Sequence, residues 1–149
     1  MATRDANLTF CKQQAAYNNT VSTNIIDLSA IRDIGVGKQP YIIVQIDGEA
    51  MTDSGNNSNT TVYFQTDSVE AFNSATNSIT LGTFVTNSAI GTKLGPIPIP
   101  PGKADEQYCA LYFSQSGTGD LTTGKFTGWI TYEPQLHDTY PDAVTISVP

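Results

Sequence analysis

Gln107-Tyr108-Cys109-Ala110-Leu111-Tyr112-Phe113-Ser114 decides the fold class. Cys109, Leu111 and Phe113 fall on one side of an extended chain, and Tyr108, Ala110 and Tyr112 on the other. Such period-two patterning predicts a half-buried β-strand. The pattern recurs along the chain. Thr60 to Thr66 sets Val62, Phe64 and Thr66 against Tyr63 and Gln65. Tyr41 to Ile46 aligns Ile42, Val44 and Ile46. Lys125 to Tyr132 sets Phe126, Gly128, Ile130 and Tyr132 opposite Trp129. Ser78 to Thr86 places Ile79, Leu81, Thr83 and Val85 on one face. Shorter strands are predicted at Asn7 to Lys12 and Thr23 to Leu28, and Ala143 to Val148 aligns Val144, Ile146 and Val148.

These segments predict an all-β antiparallel sandwich of about eight strands. Only Ser68 to Ala75 has the makings of a helical turn. Gly95-Pro96-Ile97-Pro98-Ile99-Pro100-Pro101-Gly102 cannot be a central strand, because alternate prolines lack the donors a ladder needs. It is expected to run as an extended edge or connector. Asp53-Ser54-Gly55-Asn56-Asn57-Ser58-Asn59 reads as a polar turn between strands. No linker or repeat divides the 149 residues, so 1–149 is read as one domain.

Composition narrows the function. The net charge is −7 with scattered signs, so no basic stripe is available to neutralise phosphates. Nucleic acid and anionic membranes are therefore not expected as partners. No apolar run approaches a membrane span, and Met1 to Asn7 lacks a signal-peptide core. A cytoplasmic site of synthesis is expected. Cys11 and Cys109 are then free thiols, Cys109 as a small core residue.

No catalytic, metal-binding or cofactor-binding residues are assigned. His137 is the only histidine. Asp138 and Glu133 lie close to it in sequence, but an exposed loop before Pro141 is the simpler reading. One histidine cannot build a histidine-rich zinc site. Gly35-Val36-Gly37-Lys38 lacks phosphate-loop spacing, so its glycines are assigned to a turn. Asp47, Glu49 and Asp53 are too few for calcium and are expected to be solvated. Trp129 with Tyr132 would make a sugar-stacking platform only if the indole were exposed.

The segment Ser22-Thr23-Asn24-Ile25-Ile26-Asp27-Leu28 followed by Arg32-Asp33-Ile34-Gly35 resembles the capsid cement (decoration) proteins of tailed bacteriophages, such as those on a Bordetella phage head. The similarity continues in Asn7-Leu8-Thr9-Phe10, Phe64-Gln65-Thr66-Asp67, Leu94-Gly95 with the prolines after it, Tyr108 to Tyr112, Thr123-Gly124-Lys125 and Tyr140-Pro141-Asp142-Ala143. The resemblance implies a jelly-roll-like sandwich on the outer surface of a virion head. It implies a non-enzymatic role, bridging major capsid protein subunits, and self-association as a dimer, with a trimer the alternative. A carbohydrate-binding sandwich and a small β enzyme, with His137 in a pocket with Asp or Glu partners, are the competing classes. Loops and termini carry function on rigid sandwiches, and arginine favours interfaces. Arg4, Asp5, Asn7, Arg32, Asp33, Lys38, His137, Tyr140 and Asp142 are therefore the candidate capsid or subunit contacts.

Overall fold

A computed structural model describes residues 8–17, 19–29, 39–117 and 121–132. The described chain is all-β, with strands β1 (Thr9–Ala15), β2 (Thr20–Val21), β3 (Ile26–Asp27), β4 (Tyr41–Ile46), β5 (Thr52–Asp53), β6 (Asn59–Asp67), β7 (Thr76–Phe84), β8 (Lys93–Pro98), β9 (Tyr108–Ser116), β10 (Leu121–Thr123) and β11 (Lys125–Thr131). No helix among the described residues is long and apolar enough to cross a membrane. The expected strand Ala143 to Val148 lies outside the described residues.

Two antiparallel sheets face each other. One has the order β1-β11-β4-β8; the other has β2-β9-β6-β7, with β3 continuing along β9 beyond β2. All but one connection between the main strands cross from sheet to sheet. The exception is the β6–β7 hairpin. This is the strand order of a jelly roll. A small β5–β10 pair closes one end.

Apolar alternation explains the core. Ile42, Val44 and Ile46 of β4 are fully buried against Val62 and Phe64 of β6 and Leu111 and Phe113 of β9. Rings tie the sheets together: Phe126 lies 5.1 Å from Phe113 and 5.4 Å from Phe84, and Phe10 lies 6.2 Å from Phe64. Midway, the sheets approach so closely that a Cβ on Gly128 would sit 2.5 Å from a Leu111 methyl. Cys11 and Cys109 are buried free thiols on opposite sheets, and burial pushes both up to about 12.

Three expectations are corrected. First, β7 does not keep one inward face from Ile79 to Val85. Register shifts against β6 flip its phase, so Leu81 and Phe84 turn inward while Thr83 and Val85 are exposed. The extra residue at the first shift is Leu81, between the pairs Gly82↔Val62 and Thr80↔Tyr63; Gly82 beside it has φ +143°, and a Cβ there would meet Leu94. Second, the strand expected at Thr23 to Leu28 is shortened to Ile26–Asp27, and another short strand, Thr20–Val21, precedes it. The register against β9 slips between Val21↔Tyr112 and Ile26↔Cys109. Ser22 bridges the break: its N–H donates to the Leu111 carbonyl (2.8 Å), and its hydroxyl accepts from the Leu111 N–H (3.1 Å). Third, Ser68 to Ala75 forms hydrogen-bonded turns and no helix. The proline stretch behaves as expected, since Lys93–Pro98 is an edge strand beside β4.

Candidate functional site

Every candidate contact residue lies outside the described residues: Arg4, Asp5 and Asn7 before β1, Arg32, Asp33 and Lys38 between β3 and β4, and His137, Tyr140 and Asp142 after β11. The described residues that flank them do form a pattern. Thr9, where β1 begins, is opposite Trp129 near the end of β11. Thr131 ends β11 opposite Tyr41, where β4 begins, and Tyr41 is also opposite Pro98. On the facing sheet, Asp27 and Asp67 end their strands on either side of Tyr108. The buried Phe126–Phe113 and Phe126–Phe84 contacts fix the opposite ends of the two sheets together. Leu8, Ser29, Gln39 and Tyr132 therefore all stand at one end of the roll.

That end is acidic and well braced. Asp27 Oδ1 accepts from the Ser29 N–H at 2.7 Å and from Gln107 Nε2 at 3.1 Å. Gln107 Nε2 also donates to the Tyr108 hydroxyl at 3.1 Å. Partial burial raises the Tyr108 phenol above its ordinary value, and the charges of Asp27 and Glu70 push it further in the same direction. Asp67 holds the next loop by accepting from the N–H groups of Val69 and Ser74, both at 3.0 Å. The edges next to these exits are stitched by side chains. Asn24 donates from its backbone to the Phe10 carbonyl (2.9 Å) and from its amide to the Thr9 carbonyl (2.7 Å). Gln14 donates to the Val21 carbonyl (2.9 Å) and accepts from the Thr23 N–H (2.8 Å). Two amide side chains thus seal β1 of one sheet to the β2–β3 segment of the other. Sequence reasoning missed them, because only the register shows what those amides meet.

The opposite end holds a correction to the expected sites. Asp53 is not solvated; it is 5% exposed. Its Oδ2 accepts from the N–H groups of Asn57 and Ser58, both at 2.9 Å, and its Oδ1 from that of Gly55 at 3.1 Å. The Asn57 bond is the largest cause that holds this carboxyl below the 3.8 of a free aspartate; burial opposes it, and the Gly55 and Ser58 bonds add to it. Asp53 is a loop brace rather than a cation ligand. Among the described residues no group of three or more His, Cys, Asp or Glu is placed to hold a metal ion. Asp53→Asn should lower the melting temperature by several degrees near neutral pH, because an amide must turn a donor toward one of the three N–H groups. A depressed folded pKa gives stability that is fully present above 3.8 and lost as pH falls through the lower, folded value. The gap between parent and variant in melts should therefore narrow in acid; a gap independent of pH would contradict the brace.

Trp129 is 6% exposed. It lies on the face of β11 opposite Phe126 and Ile130 and offers no ring face to a sugar. The stacking platform of the carbohydrate reading is therefore not present at this residue. His137 lies outside the described residues.

Comparison with curated proteins gives no match. A family model, Bbp16, matches residues 10–130, from Phe10 of β1 to Ile130 of β11. The match takes in the described roll except Leu8, Thr9, Thr131 and Tyr132 at its ends. It includes Arg32, Asp33 and Lys38, and it stops short of Arg4, Asp5, Asn7, His137, Tyr140 and Asp142. With most of its length matched, and with its strands in jelly-roll order, the chain belongs to the Bbp16 family of bacteriophage proteins.

Proposed function

We propose that the protein is a non-catalytic structural component of a phage virion that decorates the outer surface of the head and bridges major capsid protein subunits. The observation that carries this reading is the convergence at one end of the roll. The chain joins the segments with the candidate contacts through Leu8, Ser29, Gln39 and Tyr132, which stand together there. A rigid roll that gathers such segments at one end is suited to grip an assembled surface while its own core stays intact. Family membership supplies the phage context. The physical mechanism is mass action. A partner that binds the assembled shell and not its free subunits stabilises the shell. Many modest contacts on one particle add up through multivalency. In this reading the protein acts as a homo-oligomer, a dimer in preference to a trimer, needs no cofactor and contacts no nucleic acid or membrane.

Deleting residues 1–6 tests the reading. The shortened protein should keep the parent's circular dichroism and melting temperature, since the deletion lies before β1. Its occupancy on heads should fall at least about tenfold at equal concentration, equivalent to about 1.4 kcal/mol. Heads mixed with it should open at a lower temperature than heads mixed with parent. Equal decoration and equal protection would remove the N-terminal arm from the anchor.

A further inference from the structure

The roll has sheet edges of unequal character. The β1 edge and the β2–β3 edge are sealed to each other by Gln14 and Asn24. The β8 edge contains Pro96 and Pro98, which have no N–H to donate. The remaining edge is β7, which among the described residues pairs with β6 on one side only. It spans 9 residues without a proline or a charge. Unprotected edges of that length pair with other strands.

The charge pattern says which strand. No Asp, Glu, Lys or Arg occurs from Ala71 to Thr92, the longest such run in the sequence. On a protein of net charge −7, two copies repel at long range, and a contact where neither is charged adds no close like-charge pair to that repulsion. A two-fold contact sets each residue near the axis against its own copy, so any charge there would meet itself. The run also carries two exposed apolar side chains just beyond β7, Val85 (61% exposed) and Ile90 (58%). Their loop is pinned by Ser88, which bonds the Val85 carbonyl through its hydroxyl (2.6 Å) and its N–H (3.2 Å).

We propose that the free edge of β7, with Val85 and Ile90 at its end, is the interface between two copies of this chain. Antiparallel pairing of β7 with its copy joins two sheets across a two-fold axis. If the whole of Thr76–Phe84 pairs, the exposed Thr80 stands at the axis. The competing role of this edge is a blunted one, since the bulges against β6 distort it. The proposal takes self-association from the proposed function but does not depend on a capsid.

Sedimentation equilibrium of the free protein tests it without heads, so its failure and a failure of the head-decoration reading are told apart. The parent should be a dimer. Thr80→Lys should be a monomer at the same concentration, because like charges directly opposite in a sheet repel; its circular dichroism should be unchanged, and its melting temperature should match that of the parent diluted to monomer, since the stabilisation that association gives is lost. Thr80→Glu should also be a monomer, and an equal mixture of the two should recover the dimer mass. Ile90→Asp should weaken the dimer in the same direction. A monomeric parent overturns the proposal, as does a dimer that Thr80→Lys leaves intact. Amide protection on β7 that persists at monomer mass and vanishes when residues 143–149 are removed would assign the edge to the chain's own tail, and also overturns it.

Discussion

Phe126→Ala should cost about 3–5 kcal/mol, the usual range for truncating a large buried ring. Phe126 is fully buried in β11. It touches Phe113 of β9 at 5.1 Å and Phe84 of β7 at 5.4 Å, and both partners belong to the facing sheet. Removing the ring therefore opens a cavity between the sheets rather than at an edge. Backbone pairing with Ile46 fixes β11 from one side and leaves little room to collapse. Against a total stability of about 5–15 kcal/mol, this is about a fifth of the total or more. Urea unfolding should show a lower midpoint with an unchanged slope. Val69→Ala, at a residue 48% exposed and outside the proposed interface, should shift the midpoint little and is the control. Equal effects from the two substitutions would mean that the rings do not hold the sheets.

The parts of the fold legible in the sequence were those set by local alternation. β4 runs Tyr41–Ile46, the bounds its periodicity predicts, because Ile42, Val44 and Ile46 each need the same core. β6, β9 and β11 begin and end within two residues of expectation for the same reason. What failed depends on distant partners. The phase of β7 changes at a bulge that only its register against β6 produces. β5 and β10 are two and three residues long, too short for a pattern. Hydroxyls also link them, as Thr52 does with Thr123 at 2.6 Å. Asp53 is the exception: its three N–H partners lie two, four and five residues on, so the local signal was an Asp opening a Gly- and Asn-rich turn. The candidate contacts were chosen by residue type in turn-rich segments, and no strand pattern reaches those positions. The uncharged run from Ala71 to Thr92, by contrast, was readable from the start. It gains meaning only once β7 is known to stand at an edge.

Gly95→Ala should be nearly as damaging as the loss of Phe126, for an unrelated reason. Gly95 lies in β8 with φ +102°, a conformation that L-residues adopt only under strain. A Cβ there would overlap the backbone carbonyl oxygen of Ile42 and sit 3.0 Å from the Ile97 N. Both obstacles are main chain, so no side chain can swing aside. Relief requires β8 to move off β4, which breaks the pairing of Ile42 with Ile97 and of Val44 with Leu94. Strain and overpacking together should cost about 2–5 kcal/mol. Gly91 separates the two contributions. Its φ is +91°, and an added Cβ there meets nothing within 4 Å. Gly91→Ala should therefore show the strain alone, about 1–2 kcal/mol. The difference between the two melts measures how firmly β8 is held against β4. Equal losses would mean that the β8 edge yields without cost. It would then be a second deformable edge beside β7, and the prolines would not suffice to leave β7 as the one open edge among the described strands.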